Sequence, residues 1–255
     1  MVIAMEGLSV YLLVFVRFAG MLAFNPLLAR RNIPAMVRSG LAVVLTFLIA
    51  PTLSIANLAQ YSGIDMVLAI IKELFVGFVI GYVFQIFYDM LLFAGDLLDT
   101  DFGMSMAKVF DPGTNMQVSI TGKLLTFLFI GYFFATDSHL AMIQLFASTF
   151  DFVAPGAVII NTEIIRFCLG MFAGVISLAL RLAVPFMAAE FILQVAMGIL
   201  TKLVPQITVF VINFQLKQGL GLIMMFVLAP IIGSFMDNYI VIMLDNLQKA
   251  AQMLG

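Results

Sequence analysis

Residues Met66–Leu98 read MVLAIIKELFVGFVIGYVFQIFYDMLLFAGDLL. Lipid offers no hydrogen-bond partners, so a block this apolar satisfies its backbone N–H and C=O groups internally, as a helix. Yet Lys72-Glu73, Asp89 and Asp96 interrupt it. Each charge costs at least about 2.5–3.5 kcal/mol at a bilayer centre on insertion scales. A helix facing lipid all round would not carry so many. These charges either pair with partners or line an aqueous path, and a Lys such as Lys72 can also snorkel from a helix end.

The rest of the chain repeats the pattern. Of 255 residues, 64% are hydrophobic and 10% charged, with a mean hydropathy of +1.17. Soluble domains run near 25% charged, and a small soluble fold leaves too much exterior to cover to hide this much apolar surface. The chain belongs in lipid or inside a large apolar assembly. A net charge of −2 gives no basic field for nucleic acid. The single Cys168, in an apolar run, supplies neither a disulfide framework nor a zinc site. The N-terminal run lacks a basic region before its apolar core and continues past Arg17, so it is expected to be retained.

Six apolar blocks are predicted as helices: 7–24, 39–58, 66–98, 123–152 (broken near Asp137), 164–200 and 207–235. Turn formers separate them at Asn25-Pro26, Asn32-Ile33-Pro34, Ala154-Pro155-Gly156 and Leu203-Val204-Pro205-Gln206. Only Ser39–Ile64 and Gln218–Met236 are charge-free over the roughly 20 residues a simple span needs. Elsewhere Arg17, Arg166, Arg181, Glu190, Lys202 and Lys217 intervene. From Met236 onward, Ile240, Leu244, Leu247, Ala251 and Leu254 recur at 4-3-4-3 spacing opposite Asp237, Asp245 and Lys249. That tail is predicted as an amphipathic helix for an interface or a partner helix. The expected fold class is all-α: a polytopic membrane-complex protein of about six long helices.

Gly77 with Gly81, and Gly170 with Gly174, form two GxxxG pairs that let helix backbones approach closely. Between the third and fourth blocks lies a polar insert, 99–122, unlike its surroundings. It carries Phe102, Gly103, Met104, Met106, Phe110 and Met116, and Asp111-Pro112-Gly113 reads as a turn. Adaptable Met side chains suit a seal that opens and re-forms, and an ordinary solvent loop is the plainer reading. Glu190 and Lys217 stand 15 and 12 residues from Pro205. They therefore sit at similar heights in a hairpin, and either pair with each other or contact a neighbouring subunit. Arg17 is expected to pair structurally. His139, after Asp137-Ser138 at an expected helix N-cap, is read as structural, with proton relay as the alternative. No HExxH, GxSxG or P-loop pattern occurs, so no enzyme, metal or cofactor is expected.

Taken in order, several features resemble the FliR family of flagellar type III export-gate subunits, whose injectisome counterpart is SctT. They are Arg17, Pro26, Pro34, Arg38, Glu73, Gly77, Gly81, Gly95, Gly103, Asp111-Pro112, the Asp137/His139 break, Pro185, Glu190, Pro205-Gln206, Phe210 and Lys217. The resemblance spans essentially the whole chain. It implies a core subunit of the export gate in the bacterial inner membrane at the flagellar basal body. Its partners would be FliP-like and FliQ-like subunits, an FlhB-like switch protein, membrane lipid and unfolded flagellar substrates. It also implies a FliP-like part (1–180), a FliQ-like hairpin (181–235), the amphipathic helix (236–255), and a pore plug formed by loop 99–122. Arg17, Glu73, Glu190 and Lys217 become buried polar or inter-subunit residues. The rival classes are a self-contained ion-coupled secondary transporter, which predicts inverted repeats, and a passive scaffold recruiting partners through the tail.

Overall fold

The computed structural model describes residues 2–29, 33–53, 63–104, 109–111, 116–158, 162–204 and 209–254. Among them are eight α-helices: α1 Val2–Ala23, α2 Ala35–Ile49, α3 Ile64–Asp101, α4 Ile120–Ala135, α5 Ser138–Phe152, α6 Thr162–Leu203, α7 Val209–Val227 and α8 Ala229–Met253. A 3-10 turn, Ala50–Thr52, extends α2 where Pro51 falls. The fold is the expected all-α, polytopic one. Three helical stretches are long and apolar enough to cross a membrane, Ala35–Thr52, α3 and α6, and the pairs α4/α5 and α7/α8 add two broken candidates. The 38 residues of α3 and 42 of α6 measure roughly 57 and 63 Å at 1.5 Å per residue. A hydrocarbon core is about 30 Å thick, so neither helix fits within it upright, which accords with their internal charges.

The chain forms two compact units, each assembled from segments far apart in sequence. One holds residues 1–87, 137–172 and 241–255, and the other 88–136 and 173–240. The part boundaries read from the sequence, 180/181 and 235/236, both fall inside continuous helices, α6 and α8.

The six predicted blocks and the tail helix became eight helices, with boundaries that moved for identifiable reasons. The fourth block breaks where expected: Asp137, the α5 N-cap, has φ of 54°, and its side chain makes no cap hydrogen bond. The conformation ends α4, so the expected side-chain cap is not what starts α5. The sixth block was read as unbroken to Phe235, and that reading is corrected. The helix stops at Leu228 and restarts at Ala229-Pro230 with a 63° bend. Proline is tolerated in a first helical turn, where its missing N–H has no partner to lose. The charge-free stretch Gln218–Met236 is therefore bent, and the tail helix starts at Ala229 instead of Met236. Its apolar face is also spoken for: Met243, Leu247, Ala250, Ala251 and Leu254 are buried within the chain.

Around the central insert the boundaries also move. Asp99, Thr100 and Asp101 complete α3, and Ile120 already begins α4. Between them, β1 Val109–Asp111 and β2 Met116–Val118 pair antiparallel, with Phe110 opposite Gln117. The insert thus contains a two-stranded ribbon.

Candidate functional site

In the first unit, Arg17 of α1 and Glu73 of α3 are fully buried and paired. Arg17 Nε donates to Glu73 Oε2 at 2.5 Å and Nη2 to Oε1 at 3.0 Å. Nη1 donates to the carbonyls of Thr149 (3.1 Å) and Val153 (2.9 Å), while Gly156 N–H donates to Glu73 Oε1 at 2.7 Å. The guanidinium also lies 4.2 Å from the Phe150 ring centroid. One planar cation thereby ties α1 to α3 and neutralises carbonyls at the α5 C-terminus, where the helix dipole favours positive charge. The pairing expected for Arg17 is intrachain.

Bidentate geometry requires α1 and α3 to lie close, and glycine supplies that. A Cβ on Gly77 would sit 2.7 Å from Arg17 O and 2.8 Å from Gly20 Cα, and one on Gly81 would sit 2.5 Å from Phe24 Cβ. Both face α1. By contrast, a Cβ on Gly170 or Gly174 would meet nothing within 4 Å, so this second GxxxG packs on no other part of the described chain.

In the second unit, the foot of the central loop is held at both strands. Asp99, fully buried near the end of α3, accepts from Ile120 N (2.7 Å, Oδ2) and Thr121 N (3.2 Å, Oδ1). Ser119 Oγ, the α4 N-cap, accepts from Gly122 N at 2.6 Å. Three of the four N–H groups that a helix start leaves open are therefore met, with a carboxylate at the positive end of the dipole. Gly95 and Gly122 face each other at this crossing with no room for a side chain on either.

Phe102 follows directly. It is 1% exposed, with its ring 6.1 Å from that of Phe186 and over Gly221, where an added Cβ would lie 2.6 Å from Phe102 Cγ. One turn along the same helices stand Glu190 of α6 and Lys217 of α7, 4.0 Å apart. Lys217 Nζ donates to the Asp101 carbonyl at 3.3 Å. Glu190 is 1% exposed, and neither of its carboxylate oxygens accepts a hydrogen bond among the described residues; Asp101 Oδ2 is likewise buried without one. Two tiers thus grip the loop's departure: Phe186 and Gly221 hold the Phe102 ring, and Lys217 holds the end of α3. Gly103, at φ 72°, turns the chain away beside Phe214.

Of the residues expected in the loop, Phe102 is an anchor within the helices and Gly103 a turn. Met104 is partly exposed, and Phe110, Asp111 and Met116 lie on the ribbon strands. Met106 and Pro112 fall outside the described residues. Glu190 and Lys217 do come together, as one of their two readings held. Asp99, Gly95–Gly122 and Gly221 were missed; only Ser119 before an apolar run carried a local signal, that of an N-cap.

Long apolar helices, charges buried in pairs and a central insert footed on the helices define a polytopic helical membrane protein. The chain belongs to the family described as bacterial export proteins, family 1, which matches residues 8–242. It is similar to the flagellar biosynthetic protein FliR of Escherichia coli (strain K12), 26% identical over 92% of this chain and 89% of that one. FliR of Pectobacterium carotovorum is 30% identical over 88% and 85%. The Yop proteins translocation protein T of Yersinia pestis is 25% identical over 93% and 92%.

Proposed function

We infer that this chain is a core subunit of the type III protein-export gate, acting in the inner membrane at the flagellar basal body. The observation that carries the reading is the family match over 8–242, with flagellar and translocation relatives aligned along nearly their whole length. The chain works in a complex with other secretion-apparatus subunits. FliP-like and FliQ-like proteins would complete the pore, beside an FlhB-like switch protein, with unfolded flagellar proteins as cargo. The FliP-like (1–180) and FliQ-like (181–235) resemblances fit a subunit that occupies positions of both kinds. Nothing favours the self-contained transporter.

In this reading the ribbon-bearing loop is the pore plug. The fixed foot supports it: Asp99, Ser119 and Phe102 hold both ends, and Gly103 turns the chain where the loop begins. Deleting 105–118 and joining the ends with a short Gly-Ser bridge leaves the foot intact. The shortened protein should still copurify with FliP-like and FliQ-like subunits while cells become leaky to ions and small solutes. An assembled complex that stays tight would place the seal elsewhere.

A further inference from the structure

The charge around the start of α2 is not explained by the export role. Residues 7–64 contain four arginines, Arg17, Arg30, Arg31 and Arg38, and no Asp or Glu. Arg17 is neutralised from outside this stretch by Glu73. For Arg38, one turn into α2, there is no such ion pair among the described residues, and its Nε is buried without a hydrogen-bond partner there.

Beside Arg38 runs a groove of about 200 Å³ between α1 and α2, within the first unit. Phe15 and Leu22 form its apolar wall, and Ala19, Ala23 and Ala35 are small enough to leave it open. Ser39 lies at the rim, but its hydroxyl already donates to the Met36 carbonyl at 3.1 Å. Arg38 is thus the charged donor at the groove. The outward residues of α2, among them Val44, Phe47 and Leu48, are 55–64% exposed on a helix apolar enough to span a membrane.

We propose that the α1–α2 groove binds an anionic phospholipid, with an acyl chain between Phe15 and Leu22 and its phosphate on Arg38. The occupant follows from the juxtaposition. An apolar slot ending at a guanidinium with no carboxylate partner among the described residues matches an amphiphile whose charge and tail are adjoining, and the guanidinium fork suits phosphate oxygens. Arg38 sits near the end of a candidate span, where headgroups lie, and basic pockets between membrane helices commonly hold anionic headgroups. Arg30 and Arg31 add positive charge in the adjoining sequence.

The test uses the full chain purified with its partner subunits in detergent and stripped of lipid. Phosphatidylglycerol and phosphatidylcholine are titrated in turn, and bound lipid is counted by native mass spectrometry. Phosphatidylglycerol should bind at least about fivefold more tightly, the gain expected from one well-placed arginine. Arg38→Gln should abolish that preference and Arg38→Lys should keep most of it. Ala19→Phe, which fills the groove, should weaken both lipids alike. Equal binding of the two lipids by the unaltered protein, or a preference that survives Arg38→Gln, overturns the proposal. So does displacement of phosphatidylglycerol by millimolar inorganic phosphate, which would indicate a free-anion site. If Arg38→Gln loses partner subunits while retaining lipid, Arg38 belongs to a protein contact and the proposal fails.

Discussion

Replacing Gly221 by alanine tests how the central loop is held, because two effects of opposite sign meet there. Gly221 lies inside α7, and alanine in a helix interior is favoured over glycine by about 0.8–1 kcal/mol. Against that, the new Cβ would come within 2.6–2.8 Å of three ring atoms of Phe102. The ring is buried against Phe186 and cannot simply swing away. Over-packing a filled core costs about 1–3 kcal/mol, so the net expectation is a loss of up to about 2 kcal/mol. Phe102→Ala alone should cost about 3–5 kcal/mol, as buried Phe truncations do. With the ring gone the clash disappears, and Gly221→Ala should then stabilise by about 1 kcal/mol. The signature is a loss in one background and a gain in the other, a coupling of about 1–3 kcal/mol between contacting residues. Thermal denaturation of the four detergent-purified proteins reads it directly, without an absolute stability. Should Gly221→Ala shift the midpoint by the same amount and sign in both backgrounds, the ring does not occupy the Gly221 notch. In cells, Gly221→Ala should also raise ion leak if the foot keeps the plug seated.

Arg17→Leu strands a buried carboxylate and should cost about 3–5 kcal/mol. Adding Glu73→Leu should recover only part, since the Gly156 N–H and the Val153 carbonyl lose their partners; full recovery by thermal melt would show that these bonds contribute little. Gly77→Leu pushes a side chain into α1 backbone and should abolish stable folding. Gly174→Leu, with open space around it, should leave the isolated chain's melting unchanged, so any loss of copurifying subunits reports a partner helix. Asp99→Ala removes the acceptor for Ile120 and Thr121 N–H and should cost about 1–3 kcal/mol, with faster hydrogen exchange in the first turn of α4. Unchanged exchange there would exclude Asp99 as the clamp.

Composition and patterning alone determined that this is an all-helical membrane protein, because backbone satisfaction in lipid leaves little else for blocks such as Met66–Leu98. The same blocks showed that their charges needed partners. The ordered Pro, Gly and charge positions carried the family. Local rules also placed most helix ends, since Pro and Gly act on the backbone where they stand. The break at Leu228 was missed because Pro230 lies inside an unbroken apolar run, where only its position in a first turn gives it meaning. Partner choice was decided by tertiary structure. Arg17 and Glu73 are 56 residues apart, and nothing in either neighbourhood names the other or the α5 carbonyls. The two GxxxG pairs look alike in sequence, yet Gly77 and Gly81 face α1 while Gly170 and Gly174 meet nothing among the described residues. Asp99 and Phe102 read as loop residues, and became a helix clamp and a buried anchor only once α4, α6 and α7 closed around them. Periodicity reports which face of a helix is apolar; which helix that face meets depends on contacts between segments that the chain brings together only on folding.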